Sequence, residues 1–129
     1  MTPELLTLTL AVLLQAVQFT LYSGLAQKQV GSDYAASPRD EPRQLTGTAG
    51  RAQRALNNHF ESLALFTPAV LVITLADKSS GFTAASAWVY LAARVLYVPA
   101  YLLGWTPWRS LIWALGFLAT MALLLAALI

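Results

Sequence analysis

The chain has 129 residues, of which 57% are hydrophobic and only 11% charged, with a formal charge of +2 and a mean hydropathy of +0.59. A soluble domain ordinarily carries about 25% charged residues, so a water-exposed globule is excluded and lipid is the natural solvent. The absence of cysteine excludes disulfides, thiolate catalysis and Cys-based metal centres, and no basic run interleaved with aromatics points to nucleic acid as a partner.

The first predicted element is a membrane span over 5–26. It lacks the basic n-region of a signal peptide, and its apolar run exceeds the roughly 7–15 residues of a typical h-region, so it reads as a retained helix. Gln15 and Gln18 sit one turn apart near its middle and should face other helices, since lipid offers them no partner. Residues 27–49 are polar, punctuated by Gly31, Pro38, Pro42 and Gly47, and read as a loop. A second span follows over 56–76, with its helix starting near Thr48. The apolar part from Leu63 is too short to cross about 20 residues' worth of hydrocarbon alone, so Asn57, Asn58 and Glu61 must lie within the span. Asp77 to Gly81 is a tight turn. A third span covers 82–104, and Trp105-Thr106-Pro107 leads into a fourth over 107–129. Pro68 and Pro99 are expected to bend their helices, which membrane bundles tolerate.

Basic residues fix the expected orientation. Lys28, Arg39, Arg43, Arg51, Arg54 and Arg109 fall on one side, and only Lys78 on the other. Loops one and three are therefore expected in the cytoplasm and both termini on the opposite side, with Trp105 and Trp108 at the cytoplasmic interface. The fold class is all-α, an integral membrane four-helix bundle.

Within this apolar chain a set of polar residues is out of place. Arg51, Arg54, Asn58 and Glu61 follow at intervals of three, four and three, one face of a helix. Arg94, Tyr97 and Tyr101 follow at three and four, again one face, on an antiparallel neighbour. Depth arithmetic at about 1.5 Å per residue puts Glu61 and Arg94 at a similar level, so the two are expected to pair. An unpaired charge at that depth costs about 2.5–3.5 kcal/mol on insertion scales. An interhelical clamp would need that pair alone; the remaining arginines, amide and phenols suggest a site for a small carboxylate-bearing ligand. Arg109, beside Ser110 at the start of the fourth span, adds a further cation. His59 falls off the Asn58–Glu61 stripe and has no second histidine to share a metal or haem, so it is set aside.

The string Arg51-Ala52-Gln53-Arg54-Ala55-Leu56-Asn57-Asn58-His59-Phe60-Glu61 resembles the R-x-x-R-A-x-x-N-x-x-E motif of the membrane-associated proteins in eicosanoid and glutathione metabolism (MAPEG), and Phe66 fits its continuation. Ala93-Arg94-Val95-Leu96-Tyr97-Val98-Pro99-Ala100-Tyr101 resembles the family's A-R-x-x-Y-x-x-x-Y motif. The resemblance implies a microsomal glutathione transferase-like homotrimer with glutathione as co-substrate and no metal. By position, Arg51, Arg54, Asn58, Glu61, Arg94, Tyr97 and Tyr101 match the family's glutathione-binding residues. Arg109 matches an arginine close to the glutathione sulfur in catalytic relatives. The partners implied are membrane lipid, a lipophilic small molecule and further copies of the chain. The chain departs from the pattern where catalytic relatives carry an arginine at the end of helix one; Gln27, Lys28 and Gln29 stand there instead, and Asn57 replaces an arginine of some relatives.

A glutathione-dependent transferase or peroxidase acting on lipophilic electrophiles is the leading reading. A noncatalytic member with a structural or ligand-binding role is the first alternative. A small proton-coupled multidrug exporter is the second, for which Glu4 would have to serve as the membrane-embedded carboxylate.

Overall fold

The computed structural model describes residues 1–129 as five helices without strands: α1 (Pro3–Val30), α2 (Ser32–Ala36), α3 (Gly47–Leu75), α4 (Gly81–Leu102) and α5 (Trp108–Leu128). All except α2 are long and apolar enough to cross a membrane. At 1.5 Å per residue even α5 reaches about 30 Å, the thickness of the hydrocarbon core. The four pack as an antiparallel bundle, with α4 closest to α5 and α1 closest to α3. This path gathers the first loop and the corner before α5 at one end. The turn before α4 and both termini lie at the other.

Local chemistry explains where the helices start and stop. The Thr2 hydroxyl accepts from the Leu5 N–H at the N-terminus of α1, with a proline and Glu4 in the first turn, as a helix start favours. At the other end α1 runs past residue 26, the expected limit, and takes in Gln27, Lys28 and Gln29. Lys28 complements the C-terminal dipole there, and Gly31 stops the helix at φ 90°, a conformation that suits glycine. Ser80 and Thr83 form a reciprocal capping box at the start of α4. Helices α3 and α4 each continue through their prolines, Pro68 and Pro99.

Side chains tie the long connection back onto the helices it leaves. α2 interrupts the stretch 27–49 read as a loop. Arg39 donates through Nε and Nη2 to the Ala35 carbonyl at 3.0 and 2.6 Å. Arg43 donates to the Val30 carbonyl at 2.9 Å and lies 4.4 Å above the Tyr34 ring. Gln29 exchanges two hydrogen bonds with the Thr46 backbone. Both arginines thus cap carbonyls that helix ends leave unpaired.

The core is a layer of small and aromatic side chains. Ala11, Ala69, Ala87 and Ala119 let backbones approach, while Phe66 stacks on Tyr90 with centroids 3.7 Å apart. Small residues at contacts are how helices associate where lipid removes the usual hydrophobic drive. The outward faces carry Val12, Val17, Leu71, Leu96, Leu111, Leu115 and Leu118, an apolar exterior suited to lipid or to neighbouring subunits. Gln18 turns inward and is buried, and Gln15 is half-buried, but neither amide finds a hydrogen-bond partner within the chain.

At the far end from the loop, Glu4 is fully buried. Both carboxylate oxygens accept from the Ser79 hydroxyl, at 2.9 and 3.0 Å, and one also accepts from Thr83. Glu4 therefore staples α1 to the start of α4. A carboxylate so enclosed lacks the open approach that the exporter reading requires.

Candidate functional site

Polar residues of α3, α4 and α5 converge at the loop end of the bundle. Arg54, Asn57, Asn58 and Glu61 of α3 face Tyr97 and Tyr101 of α4 and Arg109 at the start of α5, around a groove of about 240 Å³. Arg54 donates through Nε to the Tyr101 hydroxyl at 3.1 Å. The Arg109 guanidinium lies 4.8 Å from the centre of the Tyr101 ring, and that of Arg54 lies 5.9 Å away. One phenol thus gathers two cations, by its hydroxyl and its π-face. Tyr97 and Tyr101 meet edge to face at 5.6 Å, as their spacing of one helical turn allows.

Arg94 lies beneath the groove, behind Asn58 and Tyr97, and does not line it. It is 2% exposed, and its guanidinium lies 4.4 Å from the Tyr97 ring centre. Its Nη1 donates to the Asn58 side-chain oxygen at 3.0 Å, and its Nε donates to His59 Nδ1 at 3.2 Å. The expected pairing of Arg94 with Glu61 is not formed: Nε and Nη1 bond neutral acceptors on α3, and Nη2 bonds nothing in the chain. Asn58 lies one turn before Glu61 on α3, and the rotation of α3 sets the two residues in different directions. The face that α3 turns inward runs through Ala52, Ala55, His59, Phe66, Ala69 and Ile73, which leaves Glu61 exposed at the edge.

Glu61 and Arg94 nonetheless border a second, smaller cavity of about 130 Å³ toward the membrane interior, with Ser62, Leu65, Trp113, Phe117 and Thr120. Trp113 and Phe117 stack at 5.3 Å along α5. Below this point Ser62 and Tyr90 share a hydrogen bond of 2.8 Å. Glu61 borders both spaces, so a polar groove and an apolar cavity adjoin.

Six of the eight predicted site residues line the groove: Arg54, Asn58, Glu61, Tyr97, Tyr101 and Arg109. Arg94 borders it from below through Asn58 and Tyr97. Arg51 lies elsewhere. Its Nε donates to the Leu102 carbonyl at 2.8 Å, capping the C-terminal end of α4. Two residues outside the predicted set belong with the site: Asn57 on the rim and His59 beneath Arg94. The signal for His59 is its register, since a polar residue within an otherwise apolar inward stripe of a membrane helix has to bond something.

The sequence model of the MAPEG family matches residues 5–129. The chain belongs to the MAPEG family. The match spans both polar ladders and all four long helices. No curated protein is significantly similar to the chain. As a MAPEG protein it belongs to a family that includes glutathione transferases and peroxidases as well as noncatalytic members. Its four long helices make it an integral multi-pass membrane protein.

Proposed function

We propose that this MAPEG protein binds glutathione in the α3–α4–α5 groove and conjugates it to lipophilic electrophiles. The observation that carries the reading is charge complementarity. Glutathione presents two carboxylates, one ammonium and a thiol. The groove presents the guanidinium groups of Arg54 and Arg109, with that of Arg94 buried beneath them, and one carboxylate, Glu61, that is not engaged by any of the three. Guanidinium forks suit carboxylates, and Glu61 suits the ammonium. The adjoining cavity beside Trp113 and Phe117 suits the apolar body of a second substrate.

The chemistry asked of the site is modest. A thiol with a pKa of about 8.5 is mostly protonated at neutral pH. A cation beside the sulfur favours the thiolate, and each unit of lowering corresponds to about 1.4 kcal/mol. Arg109 is the residue proposed for this role. The thiolate forms a C–S bond to the electrophilic carbon while the leaving group departs with the electron pair. With a hydroperoxide the thiolate takes the terminal oxygen, the alkoxide is protonated, and a second glutathione resolves the sulfenic acid to a disulfide and water.

α1 of the same chain contributes no residue to the groove, which is open where Arg54, Asn57, Glu61 and Arg109 are exposed. In the homotrimer that the family resemblance implies, a neighbouring subunit would close that side. The excess of arginine at the loop end supports a groove facing the cytoplasm, with both termini opposite. The departure at the end of α1, where Lys28 stands in place of a planar fork, favours a second reading in which the site binds glutathione without turnover. Steady-state conjugation of glutathione to an activated aryl halide separates the two. Arg109→Ala is expected to lower kcat about tenfold, equivalent to one unit of thiol pKa, with a smaller change in glutathione affinity. A wild-type protein that binds glutathione but shows no turnover with a panel of electrophiles supports the noncatalytic reading.

A further inference from the structure

His59 is the one histidine of the chain. It is fully buried at the meeting point of three helices. Its ring links them in a defined order. Arg94 Nε carries a hydrogen, so the His59 Nδ1 that lies 3.2 Å from it must accept. Nδ1 is then unprotonated, the neutral ring carries its hydrogen on Nε2, and Nε2 donates to the Ala11 carbonyl of α1 at 2.9 Å. The tautomer is therefore set by the two partners. Asn58 takes a second guanidinium nitrogen, Nη1. The third, Nη2, is buried and has no hydrogen-bond partner in the chain, and Arg94 borders the small cavity beside Glu61 rather than the groove itself. A guanidinium is planar, so fixing Nε and Nη1 fixes the direction of Nη2.

We infer that His59 is a positioning residue: it holds the Arg94 fork so that Nη2, beside the small cavity that adjoins the groove, stays free for an oxygen acceptor of a ligand that reaches in from the groove. The inference rests on the reading of the groove as a ligand site and extends it inward to a residue that touches no ligand. Two features favour this over simple helix packing. A packing contact between α1 and α3 would be served by an apolar side chain, as at the neighbouring positions Ala55 and Phe66 of the same stripe. His59 instead presents an uncharged acceptor to a cation. It thereby satisfies Nε without neutralising the charge that an anionic ligand needs; a carboxylate at the same place would compete with the ligand.

Two isosteric substitutions separate the roles of the ring. His59→Asn places an amide oxygen near the position of Nδ1 and gives up the bond to Ala11. His59→Gln reaches the position of Nε2, keeps a donor toward Ala11 and gives up the acceptor for Arg94. The first measurement is glutathione affinity by calorimetry on the purified full-length protein in detergent. The expected order is wild type and His59→Asn within about threefold, and His59→Gln weaker by about tenfold, the equivalent of one charged hydrogen bond near 1.4 kcal/mol. The reverse order, or equal affinities for both variants, overturns the inference.

A second readout does not depend on glutathione: the side-chain Nε–H resonance of Arg94, identified by its loss in Arg94→Lys. It should be exchange-protected in the wild type and in His59→Asn, and lost in His59→Gln. Protection unchanged in His59→Gln overturns the inference. Should the wild type bind no glutathione while the resonance follows the expected pattern, the glutathione reading falls, and His59 is still shown to hold the Arg94 fork.

Discussion

Tyr101 is the single side chain on which two cations of the groove depend, and graded removal of its parts gives a graded expectation. Its hydroxyl accepts from Arg54 at 3.1 Å, and its ring lies 4.8 Å from the Arg109 guanidinium. Tyr101→Phe removes the hydrogen bond and keeps the π-face. A hydrogen bond to a charged donor contributes about 1.5–3 kcal/mol when buried; Arg54 is solvent-exposed, which brings the cost down to about 1 kcal/mol, or roughly fivefold in Kd. Tyr101→Ala removes the ring as well, with about 0.5–1 kcal/mol for each exposed cation–π contact. The sum is about 2–3 kcal/mol, roughly thirtyfold to 150-fold in affinity. The loss arises because two long side chains must then be ordered by the ligand itself. Calorimetric titration of glutathione into wild type, Tyr101→Phe and Tyr101→Ala in one detergent tests the series. Equal losses for the two variants, or a Tyr101→Ala protein binding within twofold of wild type, would refute the argument that this ring organises the arginines.

Other substitutions have distinct signatures. Glu61→Gln should abolish discrimination between glutathione and its N-acetylated analogue, a difference of about tenfold in the wild type if Glu61 contacts the ammonium; unchanged discrimination in competition binding would remove that role. Gly50→Ala introduces a Cβ that would stand 2.9 Å from the Leu45 carbonyl oxygen and 3.3 Å from Arg54 Nη1. Displacing that loop should cost about 1–3 kcal/mol in thermal stability and weaken glutathione binding through Arg54, whereas a variant with wild-type values in both would show that the loop gives freely. Glu4→Gln exchanges a buried carboxylate with three hydroxyl contacts for an amide, and the melting temperature should fall by the equivalent of about 2 kcal/mol. Glutathione affinity should not move, since Glu4 is at the opposite end of the bundle; a parallel loss of affinity would contradict the separation of staple and site.

Much of this molecule was legible from residue order alone, for a physical reason. Lipid demands that backbone bonds close within each segment, so four apolar stretches become four helices. Spacings of three and four place Arg54, Asn58 and Glu61 together, as they do Tyr97 and Tyr101. What spacing does not determine is the rotation of one helix against its neighbour. Spacing suggests a Glu61–Arg94 pair but leaves their azimuth open, and the pair does not form because the inward face of α3 is set by where Ala52, Ala55, Phe66 and Ala69 permit close approach. The same rotation brings His59 inside, where its lack of a second histidine is irrelevant: its partners are a guanidinium and a backbone carbonyl. Arg51 shares the periodicity of the ladder, yet at the first turns of α3 it meets the unpaired carbonyls ending α4, and capping Leu102 claims its fork. The stretch 27–49 read as a loop because its glycines and prolines are conspicuous. The arginines that fold it back act on carbonyls freed only once α1 and α2 have formed.

Whether the polar groove of this MAPEG protein is a glutathione site is decided by calorimetric titration of glutathione into the detergent-purified protein, with Arg94→Ala in parallel. A glutathione site gives saturable binding in the wild type that is lost in Arg94→Ala while the variant keeps its helical content. Absence of binding at millimolar glutathione, or equal binding by both proteins, would contradict it.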